Sequence, residues 1–150
     1  MKVQSVGLAA FGPINPHAAG PAHAAVAFGK PDSAAQRGSV CSRRWLGLGL
    51  TIEFGAREGE DPCGSGAGIE RITIAGPVAA DAGWRTAEEI RPGMSLTAVR
   101  RIYPEAGRKA GRELVLVEPP PGAGTGRTPV LTVTIDRGRV DGLIFPIGGG

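Results

Sequence analysis

Three short segments of this chain occur twice, in the same order. Val26-Ala27-Phe28-Gly29-Lys30-Pro31 is echoed 73 positions on by Val99-Arg100-Arg101-Ile102-Tyr103-Pro104. Leu50-Thr51-Ile52-Glu53-Phe54 is echoed 81 positions on by Leu131-Thr132-Val133-Thr134-Ile135. Gly68 to Ile74 is echoed by Arg139 to Phe145, with Ile69 over Val140 at an offset of 71. Ordered echoes with a changing offset are what a duplicated unit with loop insertions leaves behind. A unit this small cannot bury its apolar face alone, so the two copies must share a core. The expected fold class is α+β: two tandem helix-plus-antiparallel-sheet half-repeats forming one shared sheet, with two short helices on one face. Half-repeat 1 takes about residues 1–76 and half-repeat 2 about 77–147 of a single domain, and Gly148-Gly149-Gly150 is a tail.

Local patterns place the elements. Val3 to Phe11 reads as an opening strand. Pro21 suits the first position of a helix, where its missing N–H costs nothing, and Gly29 and Pro31 end that helix after Phe28. Ala22, Ala25 and Val26 are its expected inner face. Asp32 to Ser39 reads as a polar connector. Leu46, Leu48, Leu50, Ile52 and Phe54 alternate with small or polar residues, the period of a half-buried strand. Ile69 to Ile74 alternates again, Gly76-Pro77 closes the first half, and Trp84-Arg85-Thr86 is extended. Ser95 can cap a second helix, in which Leu96, Val99, Ile102 and Tyr103 form an apolar stripe. Leu114 to Val117 is a strand, Glu118 to Pro129 a Pro- and Gly-rich insertion, and Val130–Asp136 and Val140–Phe145 a hairpin turning at Arg137-Gly138.

At 41% hydrophobic and 21% charged, the chain belongs with globular rather than disordered proteins. The formal charge is +3, and Arg supplies most of the basic residues beside a heavy Gly, Ala and Pro load. That bias points to a GC-rich coding sequence and to solubility more than to a nucleic-acid footprint. No apolar run approaches the length of a membrane span. Met1-Lys2 leads straight into Val3-Gln4-Ser5-Val6 without the apolar stretch of an export signal. The protein is then either cytoplasmic or begins after a signal has been removed.

Cys41 and Cys63 bear on that choice. They flank one strand–loop segment and are expected to form a disulfide across adjacent strands of the first half; free thiols and a metal site are the alternatives, the last without the paired spacing zinc requires. A bridge favours an oxidising compartment and hence an extracytoplasmic or secreted protein.

Arg91-Pro92-Gly93-Met94-Ser95-Leu96-Thr97-Ala98-Val99 resembles the repeat motif of the beta-lactamase inhibitor proteins and of small envelope lipoproteins with the same helix–sheet unit. The resemblance implies two tandem helix-plus-sheet repeats, a secreted bacterial protein and a protein partner held on the sheet face away from the helices. Two features of the chain differ from that pattern. Both cysteines lie in the first half, and the aromatics number seven in all.

Other residues carry less chemistry. His17 and His23 lie in a Pro/Ala/Gly segment without an orienting acid, which leaves a Cys41–His23 nucleophile pair unsupported. Glu58, Glu60 and Asp61 lack the ordered oxygens of a calcium loop. Gly64–Gly68 and Gly122–Gly126 lack the setting of a phosphate loop. Arg100, Arg101, Arg108, Lys109 and Arg112 are not interleaved with aromatics for base stacking. No pattern assigns a catalytic side chain, a metal set or a cofactor. The expected function is a non-catalytic exported bacterial binding domain, with a thiol- or carboxylate-dependent enzyme and a nucleic-acid-binding protein as alternatives. Trp45 and Trp84 are the expected anchors of the contact surface if they are exposed, whereas Phe54, in an alternating strand, is expected in the core.

Overall fold

A computed structural model describes residues 11–86, 88–104, 107–110, 113–118 and 128–147. The opening strand expected over Val3–Phe11 lies outside them except for Phe11, as do the Gly122–Gly126 run and the Gly tail. Helix α1 (Pro21–Phe28) leads into strands β1 (Ser33–Arg37), β2 (Val40–Trp45), β3 (Leu50–Gly55) and β4 (Gly68–Ala75). Helices α2 (Pro77–Ala82) and α3 (Leu96–Ile102) precede β5 (Gly107–Ala110), β6 (Glu113–Glu118), β7 (Thr128–Asp136) and β8 (Arg139–Pro146). All eight strands form one antiparallel sheet in the order β1-β2-β3-β4-β8-β7-β6-β5. The fold is α+β, with the helices on one side of the sheet.

The first half is thus one helix followed by a four-strand meander and the second is two helices followed by another, and the last strands of the two halves meet at a central seam. The echoes fall on equivalent elements. The 81-residue echo relates β3 to β7 and the 71-residue echo relates β4 to β8. Both inner ladders carry a bulge at the echoed position. Register shifts between Glu53 and Phe54 opposite Glu70, and between Thr134 and Ile135 opposite Asp141. Across the seam the bulge residues act reciprocally. Gly76 donates its N–H to the Asp141 carbonyl at 3.1 Å, and Ile147 donates its own to the Glu70 carbonyl at 2.9 Å. A bulge leaves one residue without its ladder bond, so each half satisfies the other's spare carbonyl.

The core lies between the sheet and the helices. Alternation along each strand sends Cys41, Trp45, Leu50, Ile52, Phe54, Ile72, Ile74, Leu131, Val133, Leu143 and Phe145 to the helix side, all buried. Helix α1 covers them with Pro21, Ala24 and Phe28, and α3 with Val99 and Tyr103.

Several local expectations give way to these contacts. The inner face of α1 is not Ala22, Ala25 and Val26; Val26 is 89% exposed. Aligning the helices by their caps, Gly20 on Ser95, sets buried Ala24 over Val99 and Phe28 over Tyr103, two residues away from the sequence echo. Leu46–Leu48 is a single 3-10 turn ending at left-handed Gly49, and Leu46 is exposed there instead of continuing the strand. The supposed connector 32–39 contains β1, whose five residues are exposed on both faces and give no alternation to read. Helix α2 was concealed by its brevity, although Pro77 at its first position and left-handed Gly83 at its end repeat the signals that mark α1. Arg108 and Lys109, part of the basic stretch, fall on strand β5, whereas Arg100 and Arg101 fall on α3.

Candidate functional site

The sheet face away from the helices is the candidate site. Register places Ser33, Arg44, Thr51, Thr73, Ile144 and Thr132 in one row across six strands, with Ala35, Ser42, Glu53, Arg71 and Pro146 in the next. Ser42, Thr51, Thr73, Thr132 and Ile144 are all partly exposed, the state of side chains that stand on an uncovered sheet. Threonine suits this position because its branched side chain packs on a pleated surface while its hydroxyl meets water.

Charge enters the face through Arg71 and Glu53, directly opposite each other. Arg71 Nη2 donates to both carboxylate oxygens at 3.1 and 3.2 Å. With half of the Arg71 side chain exposed, the pair contributes little to stability. Both residues line an open depression of about 430 Å³, together with Val40, Gly55, Glu70 and Pro146. Gly55 leaves room there for the Glu70 side chain, which an added Cβ would displace. The β4 bulge that offsets Glu70 therefore helps to shape the depression.

The expected anchors are elsewhere. Trp45 and Trp84 are 3% and 1% exposed, and both lie on the helix side of the sheet. The Trp45 indole N–H donates to the Gly29 carbonyl at 2.8 Å and that of Trp84 to the Leu48 carbonyl at 2.8 Å. Phe11, Phe28, Trp45, Trp84 and Phe145 form one aromatic cluster with ring centroids 5.1 to 6.2 Å apart. Phe54 and Tyr103 are buried as well, so all seven aromatics serve the core. The physical reason is volume. A core otherwise built of Ala, Val, Ile and Leu needs large rings to fill the gap beneath short helices. The expectation of tryptophan anchors on the open face is corrected accordingly.

Cys41 and Cys63 are joined, with Cα atoms 5.2 Å apart. The bridge runs from β2 to the loop between β3 and β4, not across two adjacent strands. Cys63 is held for it by Asp61, whose Oδ1 accepts the Cys63 N–H at 2.9 Å and whose carbonyl accepts the Gly64 N–H at 3.0 Å. Asp61 is thus a loop-shaping residue in the acidic run. With Cys41 bonded and buried, this structure offers no thiolate to pair with His23. His23 instead accepts the Gly20 N–H through Nδ1 at 3.0 Å and serves the start of α1. Among the described residues, no three His, Cys, Asp or Glu side chains are grouped as a metal site would require.

The Gly93-Met94-Ser95 segment acquires a mechanical explanation. Gly93 has φ +92°, a conformation that L side chains avoid. Its N–H donates to the Val140 carbonyl, the Val140 N–H returns to the Met94 carbonyl, and Leu96 donates to the Gly138 carbonyl, each at 2.8 Å. Met94 is buried, and Ser95 caps α3 by accepting the Ala98 N–H through Oγ at 3.1 Å. The motif ties the start of α3 to the start of β8. Comparison with models of known protein families, with curated proteins and with solved structures finds no match for this chain.

Proposed function

We propose that the protein is an exported bacterial binding domain, assembled from two copies of one helix-plus-sheet unit, which holds a protein partner on its open sheet face without catalysing a reaction. The observation that carries this reading is the row from Ser33 to Thr132, which runs across six strands and is covered by none of the described residues, while the helices cover the opposite face. A wide sheet surface with scattered hydroxyl and charged groups suits another protein's surface better than a small molecule, which favours an enclosed apolar pocket. The matched bulges and reciprocal seam bonds support duplication. The disulfide supports an oxidising compartment. The resemblance of Gly93-Met94-Ser95 to the beta-lactamase inhibitor repeat agrees with both. The burial of every aromatic argues for a partner unlike those that an aromatic-rich face would hold.

The test is comparative capture. Wild-type protein and two variants are immobilised and exposed to the secreted proteins of the source culture. Thr73→Arg plants a charged, bulky side chain in the centre of the open face. Val26→Arg does the same on the exposed side of α1. A protein retained by wild type and Val26→Arg but lost by Thr73→Arg supports the reading. Retention that survives Thr73→Arg and fails with Val26→Arg overturns it.

A further inference from the structure

We propose that edge strand β1 docks an extended, carboxylate-bearing segment of another protein by adding it to the sheet as a further strand. The inference deepens the binding-domain reading and rests on it.

Among the described residues the sheet ends at β1 and at β5, and these two edges differ. Strand β5 carries Arg108 and Lys109 among its four residues, and its ladder with β6 shifts register between Arg108 and Ala110. Charges and irregularities of this kind are how proteins prevent an edge from pairing with another chain. Strand β1, Ser33-Ala34-Ala35-Gln36-Arg37, pairs with β2 in unbroken register over five residues. It contains no proline or bulge, and it holds one charge, at its end. All five of its residues are exposed on both faces. Its outer N–H and C=O groups can therefore accept a strand, the mode in which backbone bonds give affinity and alternate side chains give specificity.

Charge selects the occupant. Between Lys30 and Arg44 stand four cations, Lys30, Arg37, Arg43 and Arg44, and one carboxylate, Asp32. Their balance, +3, equals the formal charge of the whole chain. Asp32 is already engaged, accepting the Leu46 N–H at 2.7 Å. Arg37 and Arg44 lie on the open face, and Arg43 lies on the other beside Ala34. The Arg43 Nε is buried without a hydrogen-bond partner. An added strand would run about 5 Å from β1 and about 10 Å from β2, so glutamates on it can reach past Ala34 to Arg43 or past Ser33 to Arg44. Antiparallel self-pairing of β1 would instead bring two such basic hairpins together, which disfavours a second copy. With every aromatic buried, the edge has no ring on which a nucleic-acid base could stack.

The experiment uses the full chain and two fluorescent peptides, one alternating Thr with Glu and one alternating Thr with Lys. Binding is followed by fluorescence anisotropy at low and high salt, and backbone amide shifts locate it. The Thr-Glu peptide should bind about tenfold or more tightly than the Thr-Lys peptide and weaken with salt, with shifts centred on Ser33–Arg37. The exposed double substitution Arg37→Glu with Arg44→Glu should abolish that preference at an unchanged melting temperature. Equal binding of both peptides, shifts confined to the β5 edge, self-association in place of peptide binding, or displacement of the peptide by a single-stranded oligonucleotide would each overturn the proposal. If the Thr-Glu peptide fails to bind while Thr73→Arg still abolishes capture, the edge proposal falls and the open-face reading stands.

Discussion

Replacing Trp84 by alanine tests whether the tryptophans serve the core. The indole is 1% exposed and lies between Phe11, at 5.1 Å between ring centroids, and Phe28, at 6.0 Å. Truncating a buried tryptophan removes its transfer free energy and leaves a cavity, together about 3–5 kcal/mol. The Leu48 carbonyl also loses the indole N–H donated at 2.8 Å, at a further cost of about 1 kcal/mol unless water replaces it. For a chain of this length, about 4 kcal/mol lowers the melting temperature by about 8–16 °C. Trp84→Phe keeps an aromatic ring and loses the hydrogen bond, so its loss should be roughly half as large. Circular dichroism melts of the three proteins measure both effects. A Trp84→Ala melt within about 2 °C of wild type would refute the reasoning, as would a Trp84→Phe protein as unstable as Trp84→Ala.

Two further outcomes follow from the described geometry. Cys63→Ser opens a loop of sequence separation 22 and should lower stability by about 3 kcal/mol, and a reducing agent should bring the wild-type melt to the same place. Gly49→Ala should lower the melting temperature by several degrees, because Gly49 has φ +62° and an added Cβ would lie 2.6 Å from the Ala75 carbonyl oxygen and 2.8 Å from the Ala79 Cβ. A melt unchanged by that substitution would show that the junction of the 3-10 turn with α2 can relax.

The sequence was most readable where local and tertiary demands coincide. Helix α1 begins at Pro21 and ends at Phe28 as its Pro and Gly signals dictate, and Ser95 caps α3 with its own hydroxyl. Strands β3, β4, β7 and β8 repeat recognisable residues because each buries one face against the same helix layer. Strand β1 was invisible because a strand exposed on both faces has no alternation to reveal it. The side chosen by α1 could not be read either. In an alanine-rich helix of eight residues many stripes look alike, and contact with Phe11 and Trp45 places Phe28 inside and Val26 outside. The open face was legible as an expectation of the half-repeat architecture, but its residues were not. Tryptophan's preference for interfaces pointed outward, while the volume beneath short helices drew every ring inward.

The seam between β4 and β8 also sets an order of assembly. In each half, every other pairing joins strands adjacent in sequence, whereas the seam brings Arg71 to Pro146 and Ala75 to Gly142. Closing a loop of some seventy residues costs about 3 kcal/mol more entropy than closing a two-residue turn, by the logarithmic dependence on length. Contacts of this separation form late in folding, after the local hairpins have repaid their smaller closures. The chain therefore approaches its native state as two meanders searching for one another. The carbonyls of Glu70 and Asp141 find their donors only when that search succeeds.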